Sequence, residues 1–453
     1  MTGGTDRTTR RDAVAAGGRW AALGAAGPLA LAAAACAGGG ADGGDAAAGA
    51  SREPATLRFA SIGGEPRTSH FTEEARLFHE ATPLITVEHE SLAGTAGGYP
   101  KLIAQFASDT APDGYETALL HGYFPTAPFV QANLPLESLL TRAKYDLGIF
   151  FATTVEAARV GGKQLGLPWL NGPGYVGMYV NLEAFERAGV RPPAESWTWD
   201  DYKTMVRQLS RPAEDRWGLG PWERVAGGNS DQAFLTLLRS SGGDLLSKDG
   251  TRSLVTEAPV VRALEQLADF HVTSSAAAPY SGSPAPTDVI GDFAAGRFAT
   301  MLNNSTGRDQ IKRGGWNPRY DILLPPRGSS GHLANSSPHF FCVTKAGRRP
   351  DSTFRWLQHL NTREAAAKVF EWVTVARKDV WDDPRFRALP GHATFRTMAE
   401  MSPSVIVPPN GEIRYYKEFI SLVMNPVMRG EKAPRAAATE ALPALEEILT
   451  KKG

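Results

Sequence analysis

One stretch of the sequence matches a nucleotide-binding glycine pattern, G-x-G-x-x-G, from Gly172 to Gly177. A dinucleotide site requires this turn to follow a strand and to open a helix, so that the helix N-terminus meets the pyrophosphate. Here the residues from Val176 to Val180 predict a strand after the glycines, and Pro173 does not suit the tight turn. We therefore interpret the stretch as a glycine-rich connection, and we expect no cofactor.

Other patterns with catalytic or metal-binding chemistry do not occur in the sequence, including H-E-x-x-H, C-x-x-C, G-x-S-x-G and the phosphate loop. The nine His residues include no pair at i, i+4 spacing on a predicted helix, so no metal site is indicated. A secreted glycan hydrolase is an alternative, with a carboxylate pair such as Glu65 and Glu116. The sequence contains no paired-carboxylate motif, so we expect neither enzyme activity nor catalytic residues.

Several aromatic side chains stand beside glycine, proline or polar residues rather than within apolar stripes. They are Trp169, Tyr175, Trp222, Trp316 and Trp372. A flat aromatic face can stack on the C–H face of a sugar ring, and a small-ligand cleft is mostly apolar with a few placed polar groups. Core packing is the better explanation for any single Trp, but the group as a whole indicates a ligand site.

Hydrophobic periodicity predicts an alternation of strands and helices in the first third of the chain. A first strand is predicted at 57–61, because apolar residues alternate there; a second is predicted at 85–89, and the segment 113–118 is predicted to open a third. A helix is predicted at 71–80, and a second helix carries the apolar residues at 102, 103 and 106. Strand–helix–strand units of this length predict a largely parallel α/β sheet with right-handed crossovers.

Helix boundaries are marked farther along the chain. Thr198 and Asp201 have the spacing of a capping box, and Thr362 is placed to begin a later helix. The last predicted helix contains Pro443, which weakens a helix unless it lies in the first turn. The stretch 274–286 is rich in Ser, Ala and Pro and is predicted to be a loop.

The first 35 residues predict an export signal. Three arginines precede an apolar run rich in Ala and Gly, which ends at three alanines before Cys36. A transmembrane helix is the alternative, but an arginine interrupts the run. Arg10 and Arg11 resemble a Tat signal, and Cys36 resembles the lipidated cysteine of bacterial lipoproteins. Residues 36–55 are then interpreted as the lipidated Cys and a flexible tether.

The composition, with 42% hydrophobic and 21% charged residues, is typical of a large soluble protein. Single cores rarely grow past about 250–300 residues, so a chain of 453 residues is expected to form two lobes rather than one compact domain. Lys+Arg equals Asp+Glu at 48 each, which argues against nucleic-acid binding, and removal of the first 35 residues leaves a net charge of −2.

Two Cys exclude a disulfide-rich scaffold. Cys342 lies in an apolar strand-like run and is interpreted as a buried core thiol.

Several blocks occur in an order that resembles a known family. They are Leu165–Trp169, Met178–Val190, Pro192–Tyr202, Ser241–Asp244, Phe293–Met301, Leu324–Gly328 and Phe354–Ala367. Over nearly all of residues 56–450, the sequence resembles the extracellular solute-binding proteins of ABC importers, family 1, which includes maltose-binding protein. It departs from the family at Met301–Gly307, where relatives carry a Trp and this chain has Asn303 and Asn304.

The resemblance implies an α/β fold of the two-lobed periplasmic-binding-protein type (type II), each lobe a mostly parallel sheet flanked by helices. It implies a hinge with three crossings, placed near Pro168–Tyr175, Pro338–Phe341 and Thr374–Arg377. The first lobe would comprise residues 56–168 and 342–375, and the second lobe residues 175–338 and 378–450.

The resemblance also implies a function. The protein would be a monomeric lipoprotein on the outer face of the cell membrane, binding a mono- or oligosaccharide and delivering it to the permease of an ABC importer. The implied ligand-binding residues are Gly64, Glu65, His121, Tyr123, Trp169, Asn171, Tyr175, Trp222, Glu223, Asn303, Asn304, Trp372 and Tyr415. A ferric-ion-binding branch of the fold is a further alternative, because it uses adjacent tyrosines such as Tyr415 and Tyr416.

Overall fold

The fold is taken from a computed structural model of the chain. The structure describes residues 54–92, 94–108, 110–119, 124–172, 176–194, 196–222, 230–274, 276–278, 289–333, 335–412 and 414–450. These residues belong to one compact unit. The expected export signal, Cys36 and most of the tether lie outside the described residues.

The strands are short and come from all parts of the described chain. They are β1 (Ala55–Ile62), β2 (Ile85–Leu92), β3 (Gly114–Ala118), β4 (Arg159–Val160), β5 (Lys163–Gln164), β6 (Leu167–Leu170), β7 (Gly177–Asn181), β8 (Trp217–Leu219), β9 (Phe298–Asn303), β10 (Tyr320–Leu323) and β11 (His339–Val343). β4 and β5 form a separate antiparallel hairpin, and the other strands form two sheets.

Helices surround the two sheets. They are α1 (Arg67–Ala81), α2 (Gly94–Ala107), α3 (Ala127–Ala132), α4 (Glu137–Arg142), α5 (Ala152–Ala157), α6 (Leu182–Ala188), α7 (Trp199–Leu209), α8 (Ser230–Ser240), α9 (Ala258–Ala268), α10 (Val289–Ala294), α11 (Thr306–Arg313), α12 (Pro350–Leu360), α13 (Arg363–Phe370), α14 (Lys378–Trp381), α15 (Pro384–Arg387), α16 (His392–Met401), α17 (Arg414–Phe419), α18 (Asn425–Met428) and α19 (Pro434–Thr450). None of the helices in the described ranges is both long enough and apolar enough to cross a membrane.

The first sheet has the strand order β2-β1-β3-β11-β6. β1 pairs in parallel with β2 and with β3, whereas β11 pairs antiparallel with both of its neighbours. β6 therefore runs in the same direction as β1, β2 and β3. This sheet and the helices packed on it are called the first lobe, and it has the largely parallel arrangement that the sequence predicts.

The second sheet has the order β10-β7-β9-β8 and is the centre of the second lobe. β7 pairs antiparallel with β9 and with β10, and only β8 and β9 are parallel. The sheet is therefore mixed rather than mostly parallel. Side-chain alternation indicates that a segment is a strand, but it does not carry the direction in which the strand pairs with a partner far away in sequence.

Local signals placed most of these elements correctly. The first two predicted strands fall within β1 and β2, the third coincides with β3 apart from its first residue, and the predicted capping box is confirmed at the start of α7. There the amide of Asp201 donates to Thr198 Oγ1, and the Asp201 carboxylate accepts from the amide of Thr198 at 2.8 Å. Thr362 caps α13 as predicted. α19 continues through Pro443 in its interior, where the proline was expected to weaken a helix.

Two hydrophobic clusters cover opposite faces of the sheets. Along β1, Leu57 and Phe59 belong to one cluster, whereas Ala60 and Ile62 belong to the other. This division follows from the alternation of side chains along a strand. Burying each large apolar side chain contributes about 1.5–3 kcal/mol, so the clusters supply the main driving force that holds helices on the sheets. Cys342 is fully buried among them, which confirms that it is a core thiol.

The chain passes from the first sheet to the second after β6, which ends at Leu170, and begins β7 at Gly177; it returns to the first sheet at His339, the first residue of β11. A third segment, after α13, contacts both lobes. The amide of Thr374 donates to Ser305 Oγ in the second lobe, whereas Val375 bridges Leu170 and Arg377 bridges Phe150 in the first lobe. These passages bring one edge of each sheet close together.

Candidate functional site

The carboxyl ends of the parallel strands in the first lobe meet at one edge of the sheet. β1 ends there at Ile62, β3 carries Glu116 near its end, and β6 carries Trp169 near its end. β11 runs in the opposite direction, so its first residue, His339, reaches the same edge opposite Ala118. Ligands of open α/β sheets bind outside this edge, which makes these side chains candidates for a site.

Glu116 is a fully buried carboxylate at this edge. It accepts hydrogen bonds from Arg67 Nη1 at 2.8 Å, from His339 Nδ1 at 2.5 Å and from the amide of Ile62 at 3.1 Å. Burial alone would raise the pKa of Glu116, but the charge of Arg67 and the hydrogen bond from His339 outweigh it and hold the pKa below its ordinary value of 4.5. Glu116 is therefore ionised at neutral pH and serves to hold its neighbours in place.

Arg67 is the first residue of α1, and one nitrogen of its guanidinium group, Nη1, makes its hydrogen bonds to the described residues. Nη1 donates to Glu116 and to the carbonyl of Ile62, each at 2.8 Å. The guanidinium carbon lies 5.1 Å from the ring centre of Trp169 and 5.9 Å from that of Trp372. The two indole rings are inclined at 69° to each other, so they form a corner around the guanidinium. The Arg67 side chain is 15% exposed, so part of it remains accessible to solvent.

Trp169 and Asn171 are buried polar side chains with unsatisfied hydrogen-bonding groups. Trp169 stacks on Phe341 with ring centres 4.8 Å apart, and its Nε1 has no partner within the described ranges. Asn171 is 1% exposed, and neither its amide nitrogen nor its amide oxygen has a partner there. An unsatisfied buried group costs about 1–3 kcal/mol, so such groups are normally satisfied by a ligand or an ordered water.

The matching edge of the second lobe carries two asparagines. Gly177, at the start of β7, pairs with Asn303 at the end of β9. Asn304 Oδ1 accepts from the amide of Thr306, the first residue of α11, at 2.9 Å and from its hydroxyl at 2.6 Å. Asn303 Oδ1 accepts from the amide of Asn304 at 2.8 Å. The oxygens of both side chains are thus used internally, which leaves their NH₂ groups as the candidates for ligand contact.

The edges of the two sheets meet at a junction of three segments. An added Cβ at Gly172 would lie 2.6 Å from Thr374 Oγ1 and 3.3 Å from Ser305 Oγ. Gly172 belongs to the connection from β6 to β7, Thr374 follows α13, and Ser305 follows β9. Asn171, Trp372 and Asn304 are each within two residues of this junction. The structure therefore brings these three predicted residues to one place.

Gly64 and Glu65 lie at the rim of the first-lobe edge. They follow β1 directly, are exposed, and precede Arg67 by two or three residues. The Glu65 carboxylate accepts from the amide of Ser69 at 3.3 Å. Four further predicted site residues lie outside the described residues, namely His121, Tyr123, Tyr175 and Glu223.

Trp222 follows β8 and is fully buried inside the second lobe. Its ring centre lies 6.1 Å from that of Trp199 and 5.9 Å from that of Phe270, and its Nε1 has no partner among the described residues.

Tyr415 is also fully buried, and its hydroxyl donates to the carbonyl of Leu245 at 2.9 Å and lies 2.7 Å from Ser253 Oγ. Burial raises the pKa of Tyr415. The structure does not bring Tyr415 to the junction.

Arg67 and His339 are candidate residues that the sequence analysis did not identify. Each is far from Glu116 along the chain, separated from it by 49 and 223 residues respectively. No short-range spacing could have linked them. The sequence feature that could have indicated such partners is Glu116, an acidic residue within a predicted strand. If that strand is buried, its carboxylate requires a cationic or hydrogen-bonding partner.

A sequence profile described as bacterial extracellular solute-binding protein matches residues 64–367 of the chain. A curated protein described as a putative binding protein of Brucella abortus is 25% identical over 265 residues. That alignment covers 58% of this chain and 61% of the relative, so it spans less than two thirds of the relative. These findings confirm the family resemblance that the sequence blocks suggested.

Solved structures with the same fold cover most of the chain. An ABC substrate-binding protein from Listeria monocytogenes, in complex with cycloalternan, is 19% identical with a TM-score of 0.70, covering 87% of this chain and 99% of that chain. T. maritima MalE3 with bound maltose is 18% identical with a TM-score of 0.73 and the same coverage. The GacH receptor of Streptomyces glaucescens, solved free and with acarbose, is 19% identical with a TM-score of 0.72, covering 88% and 99%. Similarity at these identities confirms the expected two-lobed α/β fold.

Proposed function

The chain belongs to the bacterial extracellular solute-binding protein family, and on that premise we propose that it binds a mono- or oligosaccharide between its lobes and delivers it to the permease of an ABC importer. The related structures named above support a carbohydrate ligand, since they hold cycloalternan, maltose or acarbose. A ligand that binds the closed arrangement of the lobes better than the open one shifts the protein towards closure, and the closed form is what the permease would recognise.

The observation that carries this proposal is the group of unsatisfied polar atoms beside aromatic rings at the junction of the two lobes. Asn171 offers a donor and an acceptor, Trp169 offers an indole N–H, and Trp372 offers a half-buried ring. A sugar presents hydroxyls around its rim and C–H groups on its faces, so it can satisfy both kinds of surface. The proposed site comprises these residues, Asn303 and Asn304, with Gly64 and Glu65 at its rim.

The lobes of this proposal keep the boundaries expected from the sequence except where strands of the first sheet extend beyond them. The expected first lobe is 56–168 and 342–375, and β6 and β11 extend it to residue 170 and back to residue 339. The second lobe comprises 175–338 and 378–450. The crossings near Pro168–Tyr175, Pro338–Phe341 and Thr374–Arg377 act as the hinge. The hydrogen bonds between Ser305 and Thr374 support a hinge that passes next to the site, because they join segments of the two lobes. We propose that the protein acts as a monomer.

Export and anchoring complete the proposal. The first 35 residues act as a Tat signal, and lipid attached to Cys36 holds the protein on the outer face of the cell membrane. A radioactive fatty acid fed to the host should label the wild-type protein and not Cys36→Ser. Equal labelling of both proteins, or labelling of neither, would contradict lipid attachment.

The hydrolase alternative receives little support from the carboxylate pair considered for it. Glu116 is fully buried, is held by Arg67 and His339, and has a pKa below its ordinary value. A general acid of a glycosidase requires the opposite shift, with a pKa raised so that it still carries a proton at neutral pH. We therefore propose that the protein binds its ligand without chemical change.

The ferric-ion alternative receives little support from the adjacent tyrosines. The hydroxyl of Tyr415 is engaged with Ser253 and Leu245, and that of Tyr416 donates to the carbonyl of Ile406 at 2.7 Å. Both rings are buried in the second lobe. Phenolate ligation would require both hydroxyls to leave these partners and to lose their protons in an environment that raises the pKa of Tyr415.

Calorimetry and thermal-shift measurements with the full chain test the proposed function. The panel should contain maltose, maltotetraose, cycloalternan, acarbose and tagatose, which are bound in solved structures of the same fold. At least one sugar should bind and raise the melting temperature, because a ligand of the folded state stabilises it. Absence of binding and of any thermal shift across the panel, with ferric citrate binding instead, would contradict the carbohydrate assignment.

A further inference from the structure

Arg67 has a donor edge that no described residue uses. All of its hydrogen bonds within the described ranges come from Nη1, which donates to Glu116 and to the carbonyl of Ile62. Nε and Nη2 have no such partner. A guanidinium carries five N–H donors in a fixed planar fork, so this geometry leaves one Nε–H and the Nη2 pair pointing away from the contacts that hold the group.

The surroundings fix the direction of this unused edge. Glu116 holds Nη1 from within the first lobe, and the rings of Trp169 and Trp372 stand at a corner around the guanidinium. Trp169 is the last residue but one of β6, just before the chain leaves the first sheet, and Trp372 lies two residues before Thr374 at the junction. Glu116 and the rings of Trp169 and Trp372 restrict the motion of the Arg67 guanidinium. Little conformational entropy is therefore lost when its remaining N–H groups bind a ligand.

The charge at this position favours neutral ligands. Glu116 is fully buried and ionised, and its charge compensates that of Arg67 at 2.8 Å. A ligand carboxylate placed on the other edge of the guanidinium would lie close to the Glu116 carboxylate, and like charges repel. Two neighbouring hydroxyl oxygens of an uncharged sugar accept from the same pair of donors without that repulsion.

We propose that Arg67 is a specificity-determining residue of the cleft, donating from Nε and Nη2 to two adjacent hydroxyl oxygens of a neutral saccharide, with Trp372 as the neighbouring ring. This inference rests on the proposed function. A purely structural Arg67 would only neutralise Glu116, and the two roles require different chemistry. A lysine can neutralise the carboxylate, but its single ammonium cannot provide the planar pair of donors.

Calorimetry on the full chain with Arg67→Lys tests the inference. The probe is the neutral panel sugar that binds the wild type most tightly, and D-glucuronate is the acidic comparison. Arg67→Lys should keep the melting temperature close to that of the wild type and weaken sugar binding about 10- to 100-fold, as expected for lost hydrogen bonds from a charged donor. Arg76→Lys on the same helix is the matched control, because Arg76 is exposed and pairs only with Glu73 and Glu80 among the described residues. The control should bind as the wild type does.

The possible outcomes separate this inference from the function on which it rests. If the wild type binds no sugar of the panel, both the proposed function and the inference are contradicted. If the wild type binds a sugar and Arg67→Lys binds it equally well, only the inference fails. Tighter binding of D-glucuronate than of every neutral sugar would overturn the assigned ligand class. Arg67→Met provides a second variant, and wild-type affinity in that protein would also overturn the inference.

Discussion

The hydroxyl oxygens of Ser305 and Thr374 lie 3.1 Å apart, and the amide of Thr374 donates to Ser305 Oγ at 3.2 Å. Both residues are buried, at 1% and 0% exposure. Ser305 follows the last residues of β9 in the second lobe, whereas Thr374 belongs to the segment that follows α13. These bonds join the segments at the junction, and Gly172 packs directly against them.

Gly172→Ala should destabilise the protein. The added methyl group would lie 2.6 Å from Thr374 Oγ1, a distance at which neighbouring atoms must move. Overpacking of this kind costs about 1–3 kcal/mol, and urea unfolding followed by circular dichroism measures it. In a Thr374→Ala background the same change should cost less, because the nearest atom is gone. Additive costs in the double variant would contradict this explanation.

Gly64→Ala is the matched control for Gly172→Ala. A Cβ at Gly64 would meet no atom within 4 Å, and Gly64 does not have a left-handed backbone conformation. The substitution should leave the unfolding free energy unchanged or raise it slightly, because it restricts the unfolded chain. A loss equal to that of Gly172→Ala would show that glycine is required at both positions for some reason other than contact with Thr374.

The ion pair of Glu116 should make stability depend on pH. The pKa of Glu116 is lower in the folded protein than its ordinary value of 4.5, so its contribution is fully present above that value and is lost as the pH falls through the folded pKa. Glu116→Gln should cost about 3 kcal/mol at pH 7, since it leaves Arg67 without its buried partner. The stability difference between wild type and variant should shrink as the pH falls from 5 towards 3.

Glu73→Gln is the control for the Glu116 experiment. Glu73 pairs with Arg76 on the surface of α1, where water screens the interaction. Chemical unfolding at a series of pH values compares both variants with the wild type. A constant difference between wild type and Glu116→Gln from pH 7 to pH 3 would show that the ionised form of Glu116 is not what stabilises the fold.

Trp372→Ala should weaken sugar binding without unfolding the protein. The ring is half-buried beside Arg67, and loss of one aromatic contact corresponds to roughly a 2- to 10-fold change in affinity. Trp316→Ala is the comparison, since Trp316 lies beyond the far end of α11, about 12 Å along the helix from its start beside Asn304. Titration calorimetry should find the affinity of Trp316→Ala unchanged. Equal losses in both variants would argue against Trp372 as a sugar contact.

Cys342 should resist thiol reagents while the protein is folded. Burial raises the pKa of its thiol to about 12, so almost no thiolate is present at pH 8. In a full-length Cys36→Ser protein, Ellman's reagent should react only after denaturant is added. Rapid reaction of the native protein, at the rate of a free thiol, would show that β11 opens readily.

Local signals predicted much of the first lobe, because apolar residues alternate along its first strand and recur at helical spacing in the segments between its strands. They did not predict the direction of the strands in the second sheet, which depends on pairs such as Gly177 and Asn303 that are far apart in sequence. The same limit applies to the site. The asparagines and tryptophans could be proposed from family blocks and residue type, whereas the contact of Arg67 with Glu116 exists only after β1, α1 and β3 have packed together.

Tyr415 illustrates a different limit. Its position near the end of the chain suggested a late aromatic residue in the cleft, but its hydroxyl is bonded to Ser253 and Leu245 in the second lobe. Sequence position indicates which element carries a residue, and the packing of that element decides which way its side chain points. α19 gives the converse case, since its tertiary contacts retain a helix despite Pro443.

The central position of β11 has a consequence for how the first lobe can be made. β11 lies between β3 and β6, yet it is built from residues 339–343, which are synthesised after both neighbours. Until those residues have left the ribosome, β3 and β6 each have one edge without a paired strand, and an exposed edge can form hydrogen bonds with a strand of another chain. A fragment that stops before residue 339 lacks β11 and therefore cannot complete this sheet. The first lobe thus cannot be produced from an N-terminal fragment that ends before β11.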